Sequence, residues 1–273
     1  MRWTMEKALE INNLKFSYPN KEVFRGLSLT IEEGTFTTIV GNNKSGKTTL
    51  IKLMCGLLDG QKSVVAGYAY VNNQRIHDNS RFFGVVFSDV EGKFLFSNVY
   101  KEMAFPLENL NIEVKKIESK IIDIAKEFGI TEMLDKKIED LTTSEKQELL
   151  IAISLLHDPK MLLLDNAFSM MNKKSKEKIL RILKNRIEKD HLTVVLTTMN
   201  LEEIIDSDYT YVLNDGNIVM EGNPLQILRE ERLLNQVGLE LPFMADLSLK
   251  LEFYELVEGI TMDMDRMVNT LWK

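Results

Sequence analysis

The chain has 273 residues, of which 44% are hydrophobic and 27% charged, so it can form a full apolar core. Its formal charge of -7 provides no overall attraction to phosphate backbones, which argues against nucleic acid as a partner. Cys55 is the single cysteine, so no internal disulfide can form. The amino end lacks a signal-peptide core, and the longest apolar run, 149–156, is shorter than the ~20 residues that span a bilayer. These features predict a cytoplasmic protein that reaches a membrane only through a partner.

Several segments have the patterns of β-strands. Residues 8–17 and 27–40 alternate apolar and polar positions around turn residues, which predicts two paired strands. A further strand pair is predicted near 64–71, single strands at 82–87, 161–165 and 193–198, and another strand pair at 209–220.

Helical periodicity begins at about residue 98 and continues to about 134. Five apolar residues of this region fall on one helical face: Val114, Ile117, Ile121, Ile124 and Phe128. Helices are also predicted at 144–156 and 173–189, and the Leu- and Met-rich segment after Pro224 is predicted to be mostly helical. Strands that alternate with helices predict a parallel sheet covered on both faces.

A phosphate-binding loop is predicted between one of these strands and the helix that follows. Residues 41–48 read Gly-Asn-Asn-Lys-Ser-Gly-Lys-Thr and match the pattern G-x-x-x-x-G-K-[ST]. In such a loop the backbone amides and the helix N-terminus hold phosphates, Lys47 reaches the β and γ oxygens, and the Thr48 hydroxyl is a magnesium ligand. The alternative is a chance turn rich in Asn and Gly. Because both spacing and context agree, we predict nucleotide phosphates and Mg²⁺ as ligands, with these candidate binding residues: Gly41, Asn42, Asn43, Lys44, Ser45, Gly46, Lys47, Thr48 and Thr49.

Four further segments, spread over nearly the whole chain, have the pattern of a known protein family. They are FSYPN, VFSDVEGKFLFSNVYKEMAF, LTTSEKQELLIAISLLHDPKMLLLDNAFSMMN and GLELPFMADLSLKL. With the phosphate loop, they resemble the ABC transporter ATPases of the energy-coupling-factor class, which powers vitamin and cobalt or nickel uptake. The resemblance implies an α/β P-loop core with an antiparallel β subdomain, a helical subdomain and a C-terminal helical extension. The expected boundaries are 1–223 for the nucleotide-binding domain, with a helical insert at about 98–158, and 224–273 for the extension.

The resemblance also implies roles for individual residues. Tyr18 stands where the family has an aromatic residue that stacks on adenine, and Asp165 stands where the family has the aspartate that acts on magnesium through water. The family signature, Leu-Ser-Gly-Gly-Gln, corresponds to residues 141–145, so Thr142, Thr143 and Ser144 are the expected contacts to a nucleotide held by a second subunit.

Four positions of the family's chemistry are altered in this chain. Asn166 replaces the glutamate that polarises water, and a neutral amide cannot accept the proton, at a cost of roughly 10²- to 10⁴-fold in rate. Met199 replaces a histidine that contacts the γ-phosphate, and losing such a donor typically costs about 10²- to 10³-fold. Ser88 replaces a glutamine and Asn172 an aspartate. We therefore predict that no catalytic residue is intact, although the binding residues remain.

The signature and the phosphate loop also depart from the family. Thr142 keeps a hydroxyl, but Thr143 and Ser144 replace two glycines, and Glu145 adds a negative charge near a triphosphate. Lys44 replaces a glycine and either strains a left-handed backbone by about 1 to 2 kcal/mol or adds a phosphate contact.

The family architecture implies the partners. Two such subunits sandwich ATP head to tail, and their closure moves the helices of a membrane protein. Because both halves of the site are altered in one chain, we expect a hetero-dimer with a second ABC ATPase subunit. A transmembrane coupling protein and a substrate-binding membrane component complete the expected assembly, at the cytoplasmic face of the cell membrane. The alternative is a nucleotide-gated regulatory or scaffold protein outside any transporter.

His77, His157 and His191 lack metal-ligand companions at suitable spacing.

Overall fold

The structure, a computed structural model, describes residues 6–58, 64–71, 74–75 and 82–272. Its strands are β1 Lys7–Tyr18, β2 Lys21–Glu32, β3 Phe36–Val40, β4 Val64–Val71, β5 Gln74–Arg75, β6 Phe83–Phe87, β7 Met161–Asp165, β8 Thr193–Thr198, β9 Tyr209–Asn214 and β10 Asn217–Gly222. Its α-helices are α1 Lys47–Met54, α2 Val99–Asn109, α3 Val114–Phe128, α4 Thr143–Leu155, α5 Lys173–Asp190, α6 Pro224–Leu228, α7 Glu231–Gln236, α8 Phe243–Phe253 and α9 Met264–Leu271. Short 3-10 helices lie at Thr131–Met133, Ile138–Asp140 and Leu201–Asp206.

The strands form two sheets. The first has the order β2-β1-β4-β5 and is antiparallel, and the second has the order β10-β9-β3-β8-β7-β6. Strands β9, β3, β8, β7 and β6 run parallel, and β10 pairs antiparallel with β9. Leu162 and Leu164 of β7 join the core on the side of α2 to α5, whereas Met161 and Leu163 join the core shared with α1 and the first sheet. The predicted α/β class is confirmed, and apolar layers cover both faces of the parallel sheet.

The prediction of one strand over 27–40 is wrong. The chain turns at residues 33–35, where Gly34 has a φ of 67°, and the two halves enter different sheets. The first half completes β2, which pairs with β1, and the second half is β3, which is buried at every position between β8 and β9. Alternation alone could not show this break because the turn is a single Gly-containing step within an otherwise continuous pattern.

The apolar face predicted for the helical insert is largely confirmed on α3. Ile117, Ile121, Ile124 and Phe128 are buried in the core formed with α2, α4 and α5. Val114 is an exception, because its side chain is 79% exposed. Val114 is the first residue of α3. The helical period puts it in line with the apolar face, but the first turn of the helix extends past the residues that this face packs against.

Two ion pairs join this helical region to α5. Glu148 on α4, which is 3% exposed, pairs with Lys178, and Lys178 also donates to the carbonyl of Phe128 at 2.8 Å. Arg186 pairs with Glu127 of α3 through two guanidinium nitrogens. Because a buried carboxylate needs its partner, these contacts hold α3 and α4 against α5.

The helices after Asn223 pack against the parallel sheet. Asn223 caps α6 in a capping box and Pro224 occupies the start of that helix. Ile227, Leu228, Leu234 and Leu239 share an apolar cluster with Val40, the last residue of β3. Within the described ranges, the helices are all too short or too polar to cross a bilayer.

Candidate nucleotide site

The predicted phosphate loop lies between the end of β3 and the start of α1, at the carboxyl edge of the parallel strands. Two glycines are required by close packing. A Cβ on Gly41 would lie 2.2 Å from the carbonyl oxygen of Leu213, and a Cβ on Gly46 would lie 2.9 Å from the ring of Phe24. Gly46 also has a φ of 113°, which disfavours any other residue. The loop is therefore held tightly against its neighbours.

Lys44 has a φ of 66°, so the left-handed backbone considered from the sequence is present at this position. A residue with a Cβ pays about 1 to 2 kcal/mol for it. Its side chain is exposed and lines the same cleft as Lys47. A contact from Lys44 to phosphate stays a prediction.

The Lys47 side chain folds back across the loop. Its Nζ atom donates to the carbonyl oxygens of Gly41 at 2.6 Å and Asn42 at 2.9 Å. Burial lowers the pKa of Lys47 to about 8, with the nearby Asp165 carboxylate acting in the opposite direction. An ammonium group with so little water around it has a strong need for anionic partners, which a triphosphate supplies.

Thr48 and Asp165 meet beside Lys47. The Thr48 hydroxyl donates to one carboxylate oxygen of Asp165 at 2.7 Å, and the Thr197 hydroxyl donates to the other at 2.6 Å. Asp165 is 4% exposed and ends β7, directly opposite Thr197 of β8. A hydroxyl and a carboxylate are hard oxygen donors of the kind that Mg²⁺ takes together with phosphate and water, so these residues fit that ion.

Part of the loop lines one cleft of about 340 Å³ together with Asp165 and Tyr18, whereas the predicted binding residues Gly41, Asn42 and Ser45 do not line it. Tyr18 lies at its edge, with its ring edge-on to Phe16 at 5.0 Å and its hydroxyl 3.4 Å from the Thr49 Oγ1 atom. The lining residues are Tyr18, Lys21, Val23, Asn43, Lys44, Gly46, Lys47, Thr48, Thr49, Ser88, Asp165, Asn166 and Met199.

Sequence reasoning missed three residues of this site. Lys21 and Val23 line the cleft because the turn after Tyr18 brings the start of β2 back over the loop. Thr197 was missed as a partner of Asp165. The sequence could have indicated this contact, because MLLLD and TVVLTT read as buried parallel strands whose terminal polar residues lie at one sheet edge.

Three of the four altered positions, Ser88, Asn166 and Met199, line the same cleft. Asn166 has a φ of 50°, and its backbone N–H donates to the carbonyl of Thr197 at 2.9 Å. Asn tolerates this left-handed conformation better than most residue types. Met199 is 41% exposed and brings a thioether rather than a hydrogen-bond donor to the cleft. Asn172, the fourth position, does not line it.

The signature residues lie away from the phosphate loop, and their polar groups already have partners. Thr142 and Glu145 form a capping box at the start of α4, in which one Glu145 carboxylate oxygen accepts both the N–H and the hydroxyl of Thr142 at 2.8 Å. The same two hydrogen bonds lower the pKa of Glu145, the backbone one most strongly. Ser144 is 9% exposed and accepts from the backbone and the side chain of Asn172 at 3.2 and 3.1 Å.

Thr143 is exposed and lines a different cleft, together with Ser88 and Lys146. None of Thr142, Thr143 and Ser144 lines the cleft of the phosphate loop. The structure therefore brings together Tyr18, part of the loop, Asp165 and three altered positions, and it places the signature residues outside their cleft.

His157 and His191 do not line this cleft. His157 has its Nε2 atom 3.1 Å from the Phe83 carbonyl, and burial lowers its pKa. His191 ends α5 in a left-handed conformation, and His77 lies outside the described residues. Across the described ranges, no three or more His, Cys, Asp or Glu residues form a group that could hold a metal ion.

Comparison with known proteins agrees with this geometry. The family described as ABC transporter matches residues 24–169. The "Energy-coupling factor transporter ATP-binding protein EcfA" of Pediococcus pentosaceus is 30% identical over 247 residues, which are 89% of this chain and 88% of that protein. The EcfA1 protein of Leuconostoc mesenteroides is 31% identical over 90% of this chain and 92% of its own length. The chain belongs to the ABC transporter ATP-binding proteins, and among them to the energy-coupling factor transporter group.

Two further comparisons concern the length of a relative and the fold of a solved structure. The EcfA1 protein of Mycoplasma mycoides is 33% identical over 97% of this chain, but the chain spans 66% of that relative's length. Among solved structures, cbiO1 from Clostridium perfringens, described as part of the ABC transporter complex cbiONQ, has a TM-score of 0.75. It is 24% identical and covers 89% of this chain and 98% of its own, and it confirms the ABC cassette fold.

The affinity for MgATP is expected to fall as pH rises through 8. Below pH 8 Lys47 is charged, whereas above it the lysine is neutral and a bound triphosphate must draw in a proton to recharge it. We expect roughly a tenfold loss of affinity between pH 7 and pH 9. Titration calorimetry in buffers of different ionisation enthalpy would measure both the affinity and the proton uptake. An affinity that stays flat over this range would contradict the assignment of Lys47 to the phosphates.

Proposed function

We propose that the chain is the nucleotide-binding subunit of an energy-coupling-factor importer and binds MgATP in the cleft of the phosphate loop. The observation that carries this proposal is that Lys47, Thr48 and Asp165 line one cleft at the start of α1, where Lys47 donates to the carbonyl of Gly41 and Thr48 donates to Asp165. In this assignment Lys47 and the loop amides bind the phosphates and Tyr18 stacks on the base. Thr48 and Asp165 would hold Mg²⁺, which neutralises phosphate charge when bound.

The proposed action of this subunit is mechanical. ATP joins two subunits, because each phosphate loop faces the signature of the other, and their closure moves a transmembrane coupling protein. A substrate-binding membrane component selects the cargo. The chain works at the cytoplasmic face of the membrane through these partners. Within it, residues 1–223 form the nucleotide-binding domain with the helical insert at about 98–158, and residues 224–273 form an extension.

The proposed hydrolysis at this chain's own site is weak. Asn166 stands beside Asp165 at the end of β7, where its amide cannot take a proton from water. Met199 faces the cleft where a γ-phosphate donor is needed. The retained residues therefore serve nucleotide binding, and the altered ones remove catalysis.

The partner subunit is proposed to be a different ABC ATPase with intact catalytic positions. The polar groups of this chain's signature are already engaged within the chain. The N–H and hydroxyl of Thr142 both donate to Glu145, and the Ser144 hydroxyl oxygen accepts from Asn172, so few groups remain to bind a partner's nucleotide. The lowered pKa of Glu145 keeps its negative charge there at neutral pH. Two copies of this chain would form two weak sites, whereas a mixed pair contains at least one intact phosphate loop and one intact signature.

Loss of the Lys47 ammonium group is expected to remove MgATP binding. We expect Lys47→Ala to bind a fluorescent ATP analogue at least ~100-fold more weakly, because charge-assisted contacts to phosphate are among the strong hydrogen bonds. Lys116→Ala is the matched control, since that lysine is exposed on α3 and does not line the nucleotide cleft. Equal binding by wild type and Lys47→Ala would refute the proposed function.

A further inference from the structure

The turn that ends α7 has a defined geometry. Gly238 has a φ of 74°, and the N–H groups of Gly238 and Leu239 donate to the carbonyls of Asn235 and Leu234 at 3.1 and 2.9 Å. This is the Schellman arrangement, in which a left-handed glycine ends a helix and the next apolar residue packs back on its last turn. The position of Gly238 is therefore fixed by α7 itself.

This turn touches the phosphate loop. A Cβ on Gly238 would lie 2.6 Å from the Nδ2 atom of Asn42, the second residue of the loop. Gly259, in the same C-terminal region, has a nearly equal φ of 73° and open space around its Cβ position. The close approach at Gly238 is thus a contact with Asn42 and not a general property of left-handed glycines here.

Asn42 connects that turn to the lysine that faces the phosphates. Its side-chain Oδ1 atom accepts from the N–H of Asn43 at 2.7 Å, and its carbonyl accepts from Lys47 Nζ at 2.9 Å. The Asn42 carbonyl also accepts from the N–H of Ser45 at 3.2 Å. A displacement of Asn42 would therefore disturb the shape of the loop and the direction of Lys47.

The same turn is anchored beneath the loop. Leu239 and Leu234 are buried at 3% and 0% exposure in the apolar cluster that contains Val40, the residue directly before Gly41. The C-terminal region thus shares an apolar cluster with the residue before the loop and approaches the loop itself at Asn42.

We propose that the turn at Gly238 is a positioning element for the phosphate loop, holding Asn42 and through its carbonyl the Lys47 side chain. This inference rests on the proposed function, in which that loop binds MgATP. Gly238 and Leu239 are positioning residues, because neither belongs to the lining of the nucleotide cleft. The C-terminal region consequently contributes to nucleotide affinity in addition to any contact that it makes with other chains.

The test compares Gly238→Ala with Gly259→Ala in the full-length chain. Both variants place a methyl group on a left-handed backbone, so both should lose similar thermal stability, but only Gly238→Ala displaces Asn42. We expect MgATP affinity to fall about tenfold in Gly238→Ala and to stay within about twofold of wild type in Gly259→Ala. In an Asn42→Ala background, where the methyl group meets no amide, Gly238→Ala should change the affinity by less than about twofold.

A second measurement covers the case in which Gly238→Ala does not fold. Leu239→Ala should accelerate amide hydrogen exchange at residues 42–47, whereas Met267→Ala, which removes an equally buried side chain outside that cluster, should not. Equal affinities of Gly238→Ala and Gly259→Ala, or an undiminished effect in the Asn42→Ala background, would overturn the inference. Unchanged exchange in Leu239→Ala would overturn it as well. If Lys47→Ala abolishes binding in the same assay, the proposed function survives that result.

Discussion

ATP hydrolysis by the purified chain alone is expected to stay near background, and Asn166→Glu by itself should restore little of it. The loss of water activation costs roughly 10²- to 10⁴-fold and the loss of the γ-phosphate donor about 10²- to 10³-fold, so one repair leaves the other defect. The backbone adds a further obstacle. Asn166 is left-handed with a φ of 50°, a conformation that costs a glutamate about 1 to 2 kcal/mol.

The measurement is steady-state phosphate release from four proteins: wild type, Asn166→Glu, Met199→His and the double variant. We expect the rate gain of the double variant over wild type to exceed the product of the two single-variant gains, because both groups act on one transition state. Wild type mixed with an energy-coupling-factor ATPase that keeps these residues should hydrolyse ATP, since the partner then supplies the chemistry. Ordinary turnover by the wild-type chain alone, abolished in Lys47→Ala, would show that the altered cleft is catalytically competent.

A methyl group at Gly216 is expected to destabilise the fold severely. Gly216 lies in the turn between β9 and β10 with a φ of 75°, and its N–H donates to the carbonyl of Ser45 in the phosphate loop at 3.0 Å. A Cβ there would lie 1.7 Å from the carbonyl oxygen of Val23 and 2.9 Å from its carbon, both backbone atoms that cannot rotate away. We expect Gly216→Ala to lose more than ~4 kcal/mol of unfolding free energy, a magnitude typical of severe local clashes.

The matched control is Gly129→Ala. Gly129 ends α3 with a φ of 62°, and its Cβ position has nothing within 4 Å, so only the left-handed backbone opposes the methyl group. We expect it to lose about 1 to 2 kcal/mol. Thermal unfolding should separate the two, with the melting temperature lowered by roughly 2 to 4 °C per kcal/mol for a chain of this size. Similar melting temperatures for the two variants would mean that β2 moves aside at Val23.

The sequence by itself determined the fold class and the position of the phosphate-loop pattern between a strand and a helix. Apolar runs such as MLLLD and TVVLTT have the length and composition of buried strands, and the loop between a strand and a helix has fixed spacing, so both are local features. The family resemblance then identified the altered positions, including Asn166 and Met199. Three of these four positions do lie in one cleft with the phosphate loop.

Only the tertiary structure decided how these parts touch. The division of residues 27–40 between two sheets depends on which strands each half pairs with, and local alternation is the same in either case. The exposure of Val114 depends on where the packed part of α3 begins. The Asn172–Ser144 hydrogen bond and the close approach of Gly238 to Asn42 were likewise invisible, because each joins residues that are distant along the chain. Sequence spacing specifies which elements form, whereas contacts between elements arise from packing in three dimensions.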